Sequence, residues 1–479
     1  MKLSTAAALA AAVIFGLPPA ASAGWKGVLV SGGGTPPSNA VAHEKNILFV
    51  QRTLGRAGLT PADMLTFMSV GRRPVPDISY VAAVPQDRWE LVILDRLFGH
   101  GGIALAYRHH GVTDVTGGAV RGDIVRALRQ SAGALRSGDT LLVYTTDHGQ
   151  RNEADLDDNY VVLWGEDKLG VRDVRGALAS QHAGRVVGVF AQCYSGAFAA
   201  LAFDPKTKAA VPQDRCVFAA TLATREAAGC TPEIDEADYD DYTTRFFAAL
   251  HGVDRMGRST PAADYDGDGK VSLAEAHAYA VMTEDTIDVP VKSSEVFLER
   301  SGVVATGAWE AALASAAPED RAAWQGLQSR LALANGTPID RIAGGIQKVH
   351  QRMRKNDERR NRLNERLADS EDELRIGLLE RWPVIDTPYH PQFAAALDNG
   401  EAVRDYLSQS RAFATWRDLS AQINGVDGQT ADLQLDEALW LRAERAAKHV
   451  LRAARVRTQP ALAAPYERLR RCEAAVPGR

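Results

Sequence analysis

Residues 140–149 read TLLVYTTDHG, and residues 185–196 read RVVGVFAQCYSG. Each is a continuous apolar run of strand length, as expected of a central parallel strand covered on both faces. The first run opens directly into Asp147-His148-Gly149, the second into Gln192-Cys193-Tyr194-Ser195-Gly196. In an open parallel sheet, ligands and catalytic groups gather just beyond the carboxyl ends of the strands. A histidine and a cysteine at two successive strand ends can therefore face one substrate.

The chemistry needs this pair. A thiolate is a good nucleophile, but only a few per cent of an unperturbed cysteine is ionised near pH 7. An adjacent imidazole takes the thiol proton and later protonates a leaving amine. Cys193 is accordingly the candidate nucleophile and His148 the candidate general acid/base. Gly149 and Gly196 let backbone approach the substrate, and the N–H groups of Gly149 and Cys193 are candidates for holding an oxyanion.

Around this centre, residues 24–300 read as an α/β domain. Segments 27–31 and 217–221 are further expected strands, and 43–57 and 120–135 have helical spacing. Strands alternating with helices imply a mainly parallel sheet. From about 301 strand-like runs vanish, and 301–479 reads as a helical domain. Within it, an arm over about 342–380 carries a heptad seam through Ile346, Val349, Met353, Asn356, Arg360, Leu363, Leu367, Ser370 and Leu374. Later helices are expected near 401–423 and 433–454.

The two blocks, apolar strand with His-Gly and apolar strand with Cys, resemble those of caspases, metacaspases, gingipains and legumains. YTTDHG is most similar to the legumain form, and QCYSG to bacterial legumain-like and metacaspase-like proteins, the two about 45 residues apart. The resemblance covers roughly 24–300. It implies a caspase-like fold and a cysteine endopeptidase that works through an acyl-enzyme on a peptide or protein substrate. It also implies substrate-pocket walls from Ser38 to His43, with His43 a contact, and from the strand after the catalytic one, mapped onto Ala220 to Glu226, with Ala220, Thr221, Leu222 and Ala223 as contacts. The arginine with which legumains grip an asparagine side chain has no counterpart, because Val41-Ala42-His43 stands there. The acidic run Glu233, Asp235, Glu236, Asp238, Asp240 and Asp241 reads as a solvated loop or as a selector of basic side chains. By the same analogy the helical tail is an inhibitory cap, or else an interaction arm. Attack on the acyl-enzyme by an amine instead of water leads to a peptide ligase. A different class of reading is an inactive caspase-like scaffold that uses the tail for partner contacts.

Residues 264–275 fill every position of a twelve-residue calcium loop: Asp264, Asp266 and Asp268 at one, three and five, Lys270 by its carbonyl, Ser272 at nine and Glu275 at twelve. The expectation is a structural Ca²⁺ without an entering helix. Gly32-Gly33-Gly34 lacks the rest of a phosphate-binding fingerprint, and His109-His110 has no carboxylate or thiol at ligand spacing.

Composition sets the compartment. Of 479 residues 46% are hydrophobic and 24% charged, and the net charge of −5 argues against a nucleic-acid partner. Lys2, the apolar run 3–17 and Ala21-Ser22-Ala23 read as a cleavable signal peptide over 1–23 with no membrane span after it, so the protein is expected to be periplasmic or secreted. With Cys193 kept free, Cys216, Cys230 and Cys472 allow at most one disulfide, Cys216 and Cys230 being nearest in sequence.

Overall fold

A computed structural model gives the architecture and describes residues 24–81, 88–99, 105–232, 235–237, 239–334, 336, 339–387, 389–398 and 400–478. The expected signal peptide, Glu233 and Asp238 lie outside the described residues. The chain is mixed α/β, with a mainly parallel seven-stranded sheet, flanking helices and a helical C-terminal region. In space the strands run Val291–Lys292, Asp214–Ala219, Arg185–Phe190, Thr140–Thr145, Trp25–Ser31, Met64–Met68, Val115–Gly117. All neighbours are parallel except the first two.

The unbroken apolar runs have the expected cause. Leu142, Tyr144, Val187 and Val189 point to one face and pack with Ile47, Phe49, Phe246 and Phe247 from helices Val41–Arg56 and Tyr242–His251. Leu141, Val143, Val186 and Phe190 point to the other and meet Ile124, Leu128 and Val174 from Arg121–Gly133 and Val171–Leu178. A strand covered on both sides has no polar face to alternate with, and each such buried side chain contributes about 1.5–3 kcal/mol. From Trp25–Ser31 the chain builds outward through Met64–Met68, then returns to add Thr140–Thr145 on the opposite side. That reversal is a topological switch point, where parallel sheets open a crevice.

The arm is one limb of a hairpin, Ile339–Arg381 against Arg411–Val456. Of the seam positions Val349, Leu363, Leu367, Ser370 and Leu374 are buried, Ile346, Met353 and Asn356 are half-buried and Arg360 is exposed. Its polar positions pair within the chain, Asn356 with Thr430 at 3.2 Å and Arg360 with Asp427 at 2.8 Å. The two helices expected over 401–423 and 433–454 differ from what forms, which is Gly400–Gln409 followed by one helix through Gly425 and Gly428. Each glycine costs about 1 kcal/mol against alanine, but both are exposed while Ile423, Val426 and Leu433 stay buried, so packing overrides the local signal. Among the described residues no helix is long and apolar enough to cross a membrane.

The last helix, Pro460–Glu473, returns to the sheet, where Cys472 forms a disulfide with Cys216, 256 residues earlier. Cys230, the sequence neighbour of Cys216, is instead a free thiol, as is Cys193. Glu473 accepts hydrogen bonds from the Ser294 N–H and hydroxyl, both at 2.7 Å, and Lys292 pairs with Asp320 in the interior. The helical region is thus sewn into the α/β domain.

Candidate active site

Strand register brings the two blocks together. Phe190 pairs with Thr145, so His148 and Cys193 each lie three residues past the same rung of adjacent strands. The strand ends touch: a Cβ on Gly149 would stand 1.9 Å from the Cys193 carbonyl oxygen. Only glycine permits that approach. Gly149→Ala is expected to push the strand ends apart and slow any reaction at Cys193 by about 100-fold, the usual effect of a misplacement near 1 Å. An unchanged rate of thiol alkylation by a peptidyl electrophile would contradict this.

His148 is oriented by backbone. Its Nε2 lies 2.7 Å from the Ser38 carbonyl, which can only accept, so Nε2 carries the hydrogen and the lone pair is at Nδ1. Its own N–H donates to Asp147 Oδ1 at 2.7 Å. Asp147 is fully buried, and burial pushes its carboxyl well above the usual range against donation from the His148, Gly33 and Gly32 N–H groups. This accounts for the glycine run: a Cβ on Gly33 would stand 1.8 Å from Asp147 Oδ1, and Gly32 has φ +104°. His43 sits edge-on to His148, ring centroids 5.1 Å apart. Burial, then the neighbouring His148, pulls its pKa down to about 3, so it is a neutral imidazole.

The Cys193 sulfur is surrounded by donors. The Cys230 thiol is the largest influence, followed against burial by the N–H groups of Ala227, at 3.3 Å, and Gly149, and together they bring Cys193 down to about 7. Cys230 moves the opposite way, well above its ordinary value, because it keeps the shared proton. Tyr194 follows at φ 58°, a left-handed conformation costing a non-glycine residue about 1–3 kcal/mol, and it turns the strand sharply into helix Ser195–Ala202. Among the described residues no hydrogen bond joins Cys193 to His148 directly. Both line a single cleft of about 750 Å³, together with Gly149, Glu226, Gly229 and Cys230. The Gly149 N–H, named as an oxyanion donor, points at the Cys193 sulfur.

The expected substrate contacts need correction. Ala220 and Thr221 are fully buried, Leu222 and Ala223 pack against core clusters, and none of the four lines the cleft. Of the expected wall Ala220 to Glu226 only Glu226 lines the cleft, and Ala227, Gly229, Cys230 and Thr231 continue it. The strand ends at Ala219, and the turn after it is filled by Gly196, whose Cβ would stand 2.6 Å from the Ala223 nitrogen. The chain therefore reaches the cleft only at Glu226. His43 lies behind His148 and outside the cleft wall. Sequence reasoning missed Cys230, because a lone cysteine in a loop carries no local signal.

Of the four described members of the acidic run, three pair within the fold, and Asp235 is exposed. Glu236 pairs with Lys45, Asp240 with Arg245, and buried Asp241 caps helix Tyr242–His251 and faces Arg255. His109 and His110 do have a carboxylate: Asp77, far upstream, accepts the His110 N–H at 2.8 Å, while His110 Nε2 meets the Gly71 carbonyl. In the loop 264–275, carboxylate oxygens of Asp264, Asp266 and Asp268 lie within 4.8 Å of one another. Glu275 folds over the same loop, taking N–H donation from Tyr265 and Ser272 at 2.7 and 2.9 Å. Lys270 and Ser272 follow on the loop, and helix Leu273–Thr283 leaves it. Gly267 and Gly269 turn the loop at φ +78° and +81°.

Comparison with known proteins adds no assignment, since no protein-family model and no curated protein matches the chain.

Proposed function

We propose that the protein is an exported cysteine endopeptidase of the caspase/legumain kind. The observation that carries this reading is the placement of His148 and Cys193 at matched ends of adjacent parallel strands, lining one cleft. Cys193 attacks the peptide carbonyl as a thiolate, held by the Cys230 S–H and two backbone N–H groups. His148, fixed by the Ser38 carbonyl, accepts a proton at Nδ1 and returns it to the leaving amine, so that an acyl-enzyme remains for water to resolve. The Cys216–Cys472 disulfide supports an oxidising compartment.

The test is labelling with a peptidyl acyloxymethyl ketone in metal-free buffer. One label per chain is expected, on Cys193, with a rate that rises with pH through about 7, where the thiolate appears. Label on Cys230 instead, or a midpoint near 9, removes the reading.

The helical region acts in this proposal as a buttress of the rim. Among the described residues none beyond Thr231 lines the cleft, whereas Arg225, next to Glu226, pairs with Glu437 of the hairpin at 2.8 Å. Loop 264–275 is proposed to hold a structural Ca²⁺ through Asp264, Asp266, Asp268, the Lys270 carbonyl, Ser272 and Glu275, whose hard oxygens suit that ion. Calcium at 100 times its dissociation constant is expected to stabilise the fold by about 2.7 kcal/mol, and Asp266→Asn to abolish the gain. Equal urea denaturation with calcium and with chelator would contradict the site.

A further inference from the structure

Beside the cleft lies more ligating chemistry than acyl transfer uses. One ring nitrogen each of His43 and His148 and the Cys230 sulfur all lie within 4.8 Å of one another. His43 is the member the hydrolytic reading does not employ. It is 1% exposed, and among the described residues neither of its ring nitrogens has a hydrogen-bond partner. Native structures satisfy nearly all buried polar atoms, and a bound ion is among the few reasons for an exception. The cluster of Asp77, His109 and His110 is different: its groups bond to the Gly71 and Val75 carbonyls and to one another, and of its buried ring nitrogens His110 Nδ1 alone lacks a partner among the described residues, against both nitrogens of His43.

We propose that His43, His148 and Cys230 form a binding site for one borderline-soft divalent cation of the Zn²⁺ class. Two imidazoles and a thiolate are a donor set such ions prefer and Ca²⁺ or Mg²⁺ do not. A tetrahedral ion with bonds of about 2.0–2.3 Å holds its ligand atoms roughly 3.3–3.8 Å apart, within the reach of small side-chain rotations here. The Ser38 carbonyl orients His148 as an outer-shell partner orients a metal ligand, and it leaves Nδ1 for the ion. Cys230 exchanges its S–H bond for a sulfur–metal bond, and the proton passes to the buffer. The fourth position faces the cleft, where water completes it. Because the ion takes the Nδ1 lone pair that would receive the thiol proton, the metal-loaded protein is the inactive form. The site itself does not depend on the peptidase reading.

Cobalt is the probe. Titrating the full chain, stripped with a chelator, with Co²⁺ is expected to give a thiolate-to-cobalt charge-transfer band that saturates at one equivalent and bleaches on adding one equivalent of Zn²⁺. Ions on the acidic loop give no sulfur band. Cys193→Ala is expected to keep the band, Cys230→Ser to lose it, and His43→Phe to weaken Co²⁺ binding by more than about 100-fold. No band in the unsubstituted chain, a band that survives Cys230→Ser, or undiminished binding by a folded His43→Phe overturns the proposal. Should His43→Phe lose cooperative unfolding, Cys230→Ser decides alone. A chain that hydrolyses peptides without the band refutes only the metal site. A chain that shows the band without hydrolysis refutes only the peptidase.

Discussion

Cys193→Ala is expected to lower kcat/KM for peptide hydrolysis by about 10⁵–10⁶-fold, and His148→Ala by nearly as much, with the double substitution little worse than either. Nucleophile and base act as a unit, so the second loss removes what the first already disabled. The structure makes the substitutions clean. Cys193 is half-buried at the edge of the core and His148 lines the cleft with its ring on the Ser38 carbonyl, so each truncation removes few buried atoms. Cys230→Ala should behave differently. It removes the donor that most lowers the Cys193 thiol, so activity should fall mainly below pH 8 and recover as pH rises. Measuring kcat/KM against pH for these variants checks the scheme. Full activity in Cys193→Ala would end it.

Cys472→Ser is expected to cost about 2–5 kcal/mol of unfolding free energy, read from urea denaturation, with Cys216→Ser and the double serine variant costing the same. The bond closes a span of 256 residues and pins helix Pro460–Glu473 onto strand Asp214–Ala219, two places from the His148 strand. A chain ending at 300 loses more. Phe203, Phe297 and Leu298 pack with Val456, Tyr466 and Leu469, and Trp324 and Leu327 cover Ala278 and Val281. Such a fragment leaves these faces bare and is expected to aggregate. Removing the tail is therefore no assay for an inhibitory cap. Arg225→Ala in the full chain is the better probe of how the hairpin affects the rim.

The predictions differ in how far each was legible in the chain alone. Strands 140–145 and 185–190 announced themselves, because a strand buried on both faces must be apolar throughout, and that pattern is local. His148 and Cys193 followed, since the end of a parallel strand is where such groups collect. The hairpin seam was readable for the same reason, periodicity, while the single helix across Gly425 and Gly428 was not, because its partner helix supplies the burial that local propensity lacks. Of the expected wall 220–226 only Glu226 lines the cleft, which continues to Thr231, because the strand ends two residues early and the turn packs on Gly196.

What the amino-acid order determined by itself is thus whatever depends on neighbours within a few residues: continuous apolar runs, helical and heptad spacings, a calcium-type spacing of carboxylates, and a histidine and a cysteine at strand ends. Only the tertiary structure decided that Cys216 meets Cys472 and not Cys230, that Cys230 stands beside Cys193, that His43 lies unpaired against His148, and that Asp77 serves His109 and His110. Each of those pairings joins residues between 32 and 256 positions apart or at the ends of separate strands. Which distant segments meet is set by the burial of whole faces, a collective energy that no single stretch of the chain encodes.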